Sequence, residues 1–244
     1  MYLSYRDIEK IADTVMHDFN AEFYGNTAEA KEPHPTPIEQ LAVDYLNLTV
    51  KAERLCSDGS ICGITAYSET ELETSIYGYM VRIPVRQNEV FLDISFFQPG
   101  NIQRLCGKRR FTLAHECAHQ LLYYMEPDEG KASCRRMYAD KKSYTARELK
   151  TKEDWNEWQA NALGAALIMP RRDVSLLVEP LLRGRKISLY FDECTEQDAA
   201  IIQYVSGFFH TSIKAAKIRL ERLGYLKDLT VDILSEREME AMAI

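Results

Sequence analysis

The feature that most constrains this chain is the cluster His115-Glu116-Cys117-Ala118-His119, set inside a stretch with helical periodicity. Phe111, Leu113 and Ala114 before it, and Leu121 and Leu122 after it, give residues 109–124 an apolar face, so a helix packed against a core is expected there. Residues four apart on a helix share one face, one turn apart, so both imidazoles can reach a single cation. Glu116 lies about 100° round the axis from His115. From there its carboxylate reaches a water on the cation rather than the cation itself. Zinc lowers the pKa of such a water to about 7, and a carboxylate can accept its proton. H-E-x-x-H patterns also arise by chance, but while a lone histidine is readily explained as core packing, two histidines and a glutamate at this spacing on an apolar-faced helix are harder to explain that way.

A catalytic zinc needs a third protein ligand and an open fourth position. His17, His34 and His210 lie in segments that suggest no ligand role. Glu157 is the better candidate, on a helix expected over 153–169 and ended by Pro170. Asn161 falls one turn beyond it on the same face and is a candidate for orienting a ligating side chain. Glu153 and Asp154 compete on the same helix but are less well placed relative to Asn161, and a solvated helix residue is the bland reading of Glu157. A set of two His and one Glu suits Zn2+ and also accepts Mn2+.

The rest of the chain reads as α+β. Ile8, Ile11, Ala12, Val15 and Phe19 have helical spacing, and a second helix is expected after Thr36 as cap and Pro37 at its first position. Residues 61–67, 77–85 and 90–96 are rich in β-branched and aromatic residues and are expected to be strands. The last of these, just before the motif helix, is a candidate edge for pairing with an extended substrate. Residues 126–151 are polar and irregular, as expected of a surface loop. From about Asp173 onward the chain looks all-helical, with helices over 197–209 and 211–223 forming a small helix-turn-helix-like unit. Lys214, Lys217, Arg219 and Arg222 make the second of these basic, which opens a DNA-reading alternative.

Composition narrows the setting. A formal net charge of −7 gives no bulk support to nucleic-acid binding. The six cysteines form no C-x-x-C pair, which removes a zinc-ribbon reading and fits reduced thiols. Residues 1–20 carry charges throughout, no signal-peptide core is visible, and no apolar run approaches the roughly 20 residues that span a bilayer. A soluble, cytoplasmic protein without membrane partners is expected.

Three blocks carry a specific resemblance. Arg110-Phe-Thr-Leu-Ala-His-Glu-Cys-Ala-His119 resembles the R-F-T-L-A-H-E-x-x-H signature of the ImmA/IrrE family of metallo-endopeptidases. Glu157-Trp-Gln-Ala-Asn-Ala-Leu-Gly-Ala-Ala-Leu-Ile-Met-Pro170 is similar to its E-x-x-A-N-x-F-A-x-x-L-L-M-P block, with Leu163 in place of Phe and Gly164 in place of Ala. Residues 209–224 resemble its F-x-V-S-x-x-A-x-x-x-R-L-x-x-L-G stretch. The resemblance implies a zincin-like fold, with a small antiparallel or mixed sheet packed with helices over 1–172 and the helix-turn-helix-like region over 173–244. It implies His115, His119 and Glu157 as zinc ligands and Glu116 as general base. It also implies a protein substrate, a helix-turn-helix repressor or antitoxin, whose cleavage derepresses mobile-element, stress or defence genes. The competing expectation is a catalytically silent regulator of the same fold that binds a repressor or DNA without cutting.

Overall fold

The computed structural model describes residues 2–25, 27, 31–126, 134–135 and 151–230. It opens with α1 (Tyr5–Phe23), whose first turn is closed by a capping box: Ser4 Oγ accepts from Asp7 N, and the Asp7 carboxylate accepts from Ser4 N. Ile8, Ala12, Val15 and Phe19 form its buried face. The short α2 (Ile38–Gln40) continues as a π-helical turn over Leu41–Tyr45. Thr36, expected to cap α2, does not. Its hydroxyl donates to Leu167 O at 2.6 Å, a tertiary bond that no local pattern announces.

The main sheet has the order β1 (Thr49–Glu53), β5 (Glu89–Asp93), β2 (Gly63–Ala66), β6 (Cys134–Arg135). β1 runs parallel to β5, and β2 runs antiparallel to both β5 and β6. This corrects the expectation that 90–96 offers a free edge for substrate. β5 has neighbours on both sides, and all five of its residues are buried. Its continuous apolar run Val90-Phe91-Leu92 is the mark of a central strand. Of the expected loop over 126–151, residues 127–133 and 136–150 lie outside the described residues, and 134–135 form β6.

A separate hairpin, β3 (Thr70–Ile76) and β4 (Tyr79–Val85), packs Leu72, Ile83 and Val85 with Leu55, Ile64 and Phe91 in a second small core. Its turn is Tyr77-Gly78, with φ of 50° and 82°. Positive φ at both central residues suits the right-handed twist of a two-residue hairpin and favours glycine. The strand expected over 77–85 therefore starts two residues late, and β3 was not expected because Glu71, Glu73 and Ser75 face outward.

α3 (Cys106–Met125) packs on the sheet at β2 and β5, and α4 (Lys152–Ile168) packs on α3 and α1. After them come α5 (Arg171–Leu182), β7 (Ile187–Leu189), α6 (Glu196–Phe208), α7 (Ile213–Arg222) and β8 (Leu226–Asp228). The region is mainly helical but not all-helical: β7 and β8 pair in parallel, Ile187 opposite Leu226. Strands of three residues are too short to show a period in sequence. α6 and α7 meet at a tight break where His210 has φ 52°, and Ser212 caps α7 by accepting from Ala215 N at 3.1 Å.

One apolar core runs through α1, α3, α4 and the C-terminal helices, with Ile8, Phe19, Leu163, Leu167, Val178, Val205 and Leu220 all buried in it. Arg219 of α7 is buried and makes a two-pronged contact with the buried Glu9 of α1, while its Nε donates to Met169 O at 2.9 Å. Two more of the four basic residues on α7 are engaged within the chain. Lys217 donates to Asp192, and the Arg222 guanidinium lies 4.2 Å from the Tyr5 ring centre. Among the described residues no helix is long and apolar enough to cross a membrane. Cys56, Cys62, Cys106, Cys117 and Cys194 are free thiols.

Candidate metal centre

His115 and His119 lie on α3 and are almost fully buried. Their Nε2 atoms are 2.9 Å apart, and their rings are nearly perpendicular. Glu157 comes from α4, with Oε2 at 3.3 Å from His115 Nε2 and Oε1 at 3.2 Å from His119 Nε2. Ligands held 2.0–2.1 Å from one tetrahedral ion lie about 3.3 Å from each other. The Nε2–Nε2 separation and the distance from each imidazole to its nearer Glu157 oxygen are close to that spacing. Among the described residues this is the group of His and acidic side chains with metal-ligand spacing.

The sequence explains how α4 brings Glu157 there. Thr151 caps α4 in a capping box with Asp154, which starts the helix one turn before Glu157. Gly164 lies seven residues, about two turns, beyond Glu157 on the same face. A Cβ at Gly164 would stand 3.0 Å from His115 N, 3.1 Å from His115 Cα and 3.2 Å from Ala114 C. The missing side chain therefore lets α4 press on the backbone of α3 at the first histidine itself. Ala160, fully buried between Glu157 and Gly164, keeps the approach close. Sequence reasoning noted Gly164 only as a departure from a family pattern. An isolated glycine inside a helical run was the signal available.

Charges follow from this packing. Burial pushes Glu157 up, but hydrogen bonds and charge from His115 and His119 outweigh it and hold the carboxyl far below the usual range. Glu116 has the opposite fate. It is buried, and desolvation, reinforced by the charge of Glu157, raises its pKa well above the ordinary 4.5. Its Oε1 has no hydrogen-bond partner. A buried carboxylate oxygen left unsatisfied beside three convergent ligand atoms fits a site that gains a cation and a water when loaded.

The other candidates are placed as follows. Asn161 is half-buried on α4, but the hydrogen bonds of Glu157 run to the two imidazoles, and no bond joins Asn161 to the ligands. Tyr123, Tyr124, Arg109 and Arg110, close to the motif in sequence, are candidates to donate to an oxyanion, and each makes contacts of its own. Tyr123 stacks on Tyr67 with ring centres 4.0 Å apart, Tyr124 donates to Asn88, and the Arg109 guanidinium lies over Phe97. Arg110 donates to Thr36 O at 2.7 Å and approaches Glu39, so its role is structural. Cys117 is fully buried on the core side of α3, and burial pushes its thiol far up. In native protein at pH 8, iodoacetamide is expected to label Cys106 and Cys194, which are partly exposed, well before Cys117. Peptide mass spectrometry reads the order, and early labelling of Cys117 would contradict its placement.

Two helices carrying His115, His119 and Glu157, set against a small mixed sheet, define a zincin-like α+β domain with the ligand spacing of a metallopeptidase. Residues 107–221 match the family model described as the IrrE N-terminal-like domain, Peptidase_M78. The match supports the resemblance to the ImmA/IrrE metallo-endopeptidases over that segment. No curated protein and no solved structure matches the chain.

Proposed function

We propose that this protein is a zinc-dependent endopeptidase, with His115, His119 and Glu157 as metal ligands and Glu116 as general base. The observation that carries the reading is the convergence of two imidazole Nε2 atoms, 2.9 Å apart, on the Glu157 carboxylate, whose Oε2 lies 3.3 Å from His115 Nε2 and whose Oε1 lies 3.2 Å from His119 Nε2. A zinc ion, when bound, supplies Lewis acidity toward a water and toward the carbonyl of the scissile peptide bond. Glu116 takes the proton of the attacking water and returns it to the departing amide nitrogen. Burial raises its pKa above that of an ordinary carboxylate, which favours taking up the proton. His119 is held from behind, where the Tyr67 hydroxyl approaches its backbone carbonyl at 3.5 Å. The carboxylate of Glu157, kept ionised by the histidines, adds a negative charge that strengthens cation binding.

The proposed substrate is a protein partner, a helix-turn-helix repressor or antitoxin, whose cleavage in the cytoplasm releases the genes it silences. Support comes from the three motif blocks and from the family match, not from the geometry. The engagement of Arg219, Lys217 and Arg222 within the chain leaves little of the basic face of α7 for reading DNA, which favours protein over nucleic acid as the partner.

The test uses purified protein, metal analysis and, as substrate, a helix-turn-helix repressor or antitoxin that the protein binds. Wild type is expected to retain zinc in equimolar amount after dialysis and to cut the repressor, with chelator stopping the reaction and added zinc restoring it. Glu157→Ala should lose most of the metal and all cleavage. A Glu157→Ala protein that keeps its zinc would refute the ligand set. Wild type that binds zinc and the repressor but leaves the repressor intact would favour the silent regulator.

A further inference from the structure

We propose that Gly63, on β2, is a positioning residue: the absence of its side chain sets where the Glu116 carboxylate lies. The inference rests on the reading of Glu116 as general base. A Cβ built on Gly63 would stand 2.6 Å from Thr112 Cγ2, 2.7 Å from Glu116 Oε1 and 3.1 Å from Glu116 Cγ. The first two are shorter than real Cβ contacts allow, so any side chain at 63 forces something to move.

The surroundings decide what moves. Thr112 is fully buried, and its hydroxyl donates to Lys108 O at 2.9 Å, which fixes its rotamer and leaves its methyl aimed at β2. α3 cannot retreat without loss. One turn beyond Glu116, Gln120 Nε2 donates to Thr65 Oγ1 at 2.6 Å and to Ala66 O at 3.0 Å, tying the helix to the same strand. β2 is in turn held to β5, with Gly63 opposite Leu92 and Asp93 N donating to Cys62 O. Helix and strand are therefore pinned at a separation that only glycine at 63 permits. The softest element left is the end of the Glu116 side chain, and the oxygen nearest Gly63 is the one without a hydrogen-bond partner. Gly63 thus acts as a backstop, and a methyl group there would push the carboxylate off its place.

The signal in sequence was an isolated glycine in a strand-like run, which marks either a bulge or a close backbone approach. The structure assigns the second.

The experiment separates packing from positioning with two substitutions. Gly63→Ala should lower Tm and lower kcat on the order of 10²-fold, the penalty of a misplaced reacting group, with KM and zinc content unchanged. Thr112→Ser removes the clashing methyl but keeps the hydroxyl bond, and alone should cleave like wild type. In Gly63→Ala/Thr112→Ser, Tm should recover while kcat stays low, because the contact with Glu116 remains. If kcat recovers together with Tm, or if Gly63→Ala cleaves at the wild-type rate, Gly63 only packs and the proposal is overturned. A crystal structure of the zinc-loaded double variant gives a readout independent of cleavage. A displaced Glu116 carboxylate sustains the proposal even if wild type cuts no repressor, which would then count against the peptidase reading alone. An unmoved carboxylate overturns it whatever the activity.

Discussion

Glu116→Gln is expected to lower cleavage by on the order of 10²–10⁴-fold while leaving zinc bound. The substitution keeps the size and shape of a side chain in a fully packed pocket and removes only its ability to accept a proton. His115, His119 and Glu157 stay in place, so metal content should match wild type. Cleavage at the normal rate would rule out Glu116 as the base. The same variant carries a second expected result, on stability. In the metal-free protein the Glu116 pKa is raised above 4.5 by desolvation and by Glu157. A raised carboxyl pKa means that the folded state holds its proton where the unfolded chain has released it, so stability falls as pH rises through 4.5 toward the folded value. Gln carries no such penalty. The metal-free variant should therefore melt above metal-free wild type at neutral pH, and the gap should close as pH falls below 4.5. Thermal melts of both proteins at pH 4 and pH 7 check this. Equal Tm values at pH 7 would show that the buried carboxylate is not strained.

The second large effect lies far from the metal. Arg219→Ala is expected to destabilise the fold by about 3–5 kcal/mol, because it leaves Glu9 buried without its main partner. In a chain of this size that is a fall in Tm of roughly 6–20 °C. Arg171, whose Nε lies 3.4 Å from Glu9 Oε2, can take up part of the charge and draws the expectation toward the lower end. Lys214→Ala on the exposed side of the same helix should change stability by less than about 0.5 kcal/mol. Replacing both partners, Glu9→Leu with Arg219→Met, should recover much of the loss, since no charge is left stranded. Denaturant melts of the three variants provide the measurement. An Arg219→Ala protein as stable as wild type would mean that α1 and α7 are held by apolar packing alone.

The contrast between α7 and α3 shows where sequence reasoning reached and where it stopped. The basic residues of α7 looked like a surface face that DNA might meet. Nothing local distinguishes Arg219 from Lys214, and only the arrival of Glu9, 210 positions away in sequence, makes one a buried anchor and leaves the other exposed. β5 failed the expectation of an edge for the same reason: its neighbours β1 and β2 are set by long-range pairing. Thr36 was read as a cap because caps are local, and it bonds instead to the end of α4.

By itself the sequence determined the motif helix, the facing of His115 and His119, the offset of Glu116 and the helix that carries Glu157, because helical period and capping act over a few residues. Tertiary structure alone decided that Glu157 closes on the histidines rather than standing in solvent, and that Glu116 is buried against β2. Both outcomes depend on distances between elements, and those distances are set by side chains that are missing, at Gly164 between the helices and at Gly63 between helix and sheet. An absent Cβ leaves no periodic trace in a sequence; its role becomes legible only when atoms of another element are seen to occupy its place, backbone at Gly164 and side chains at Gly63.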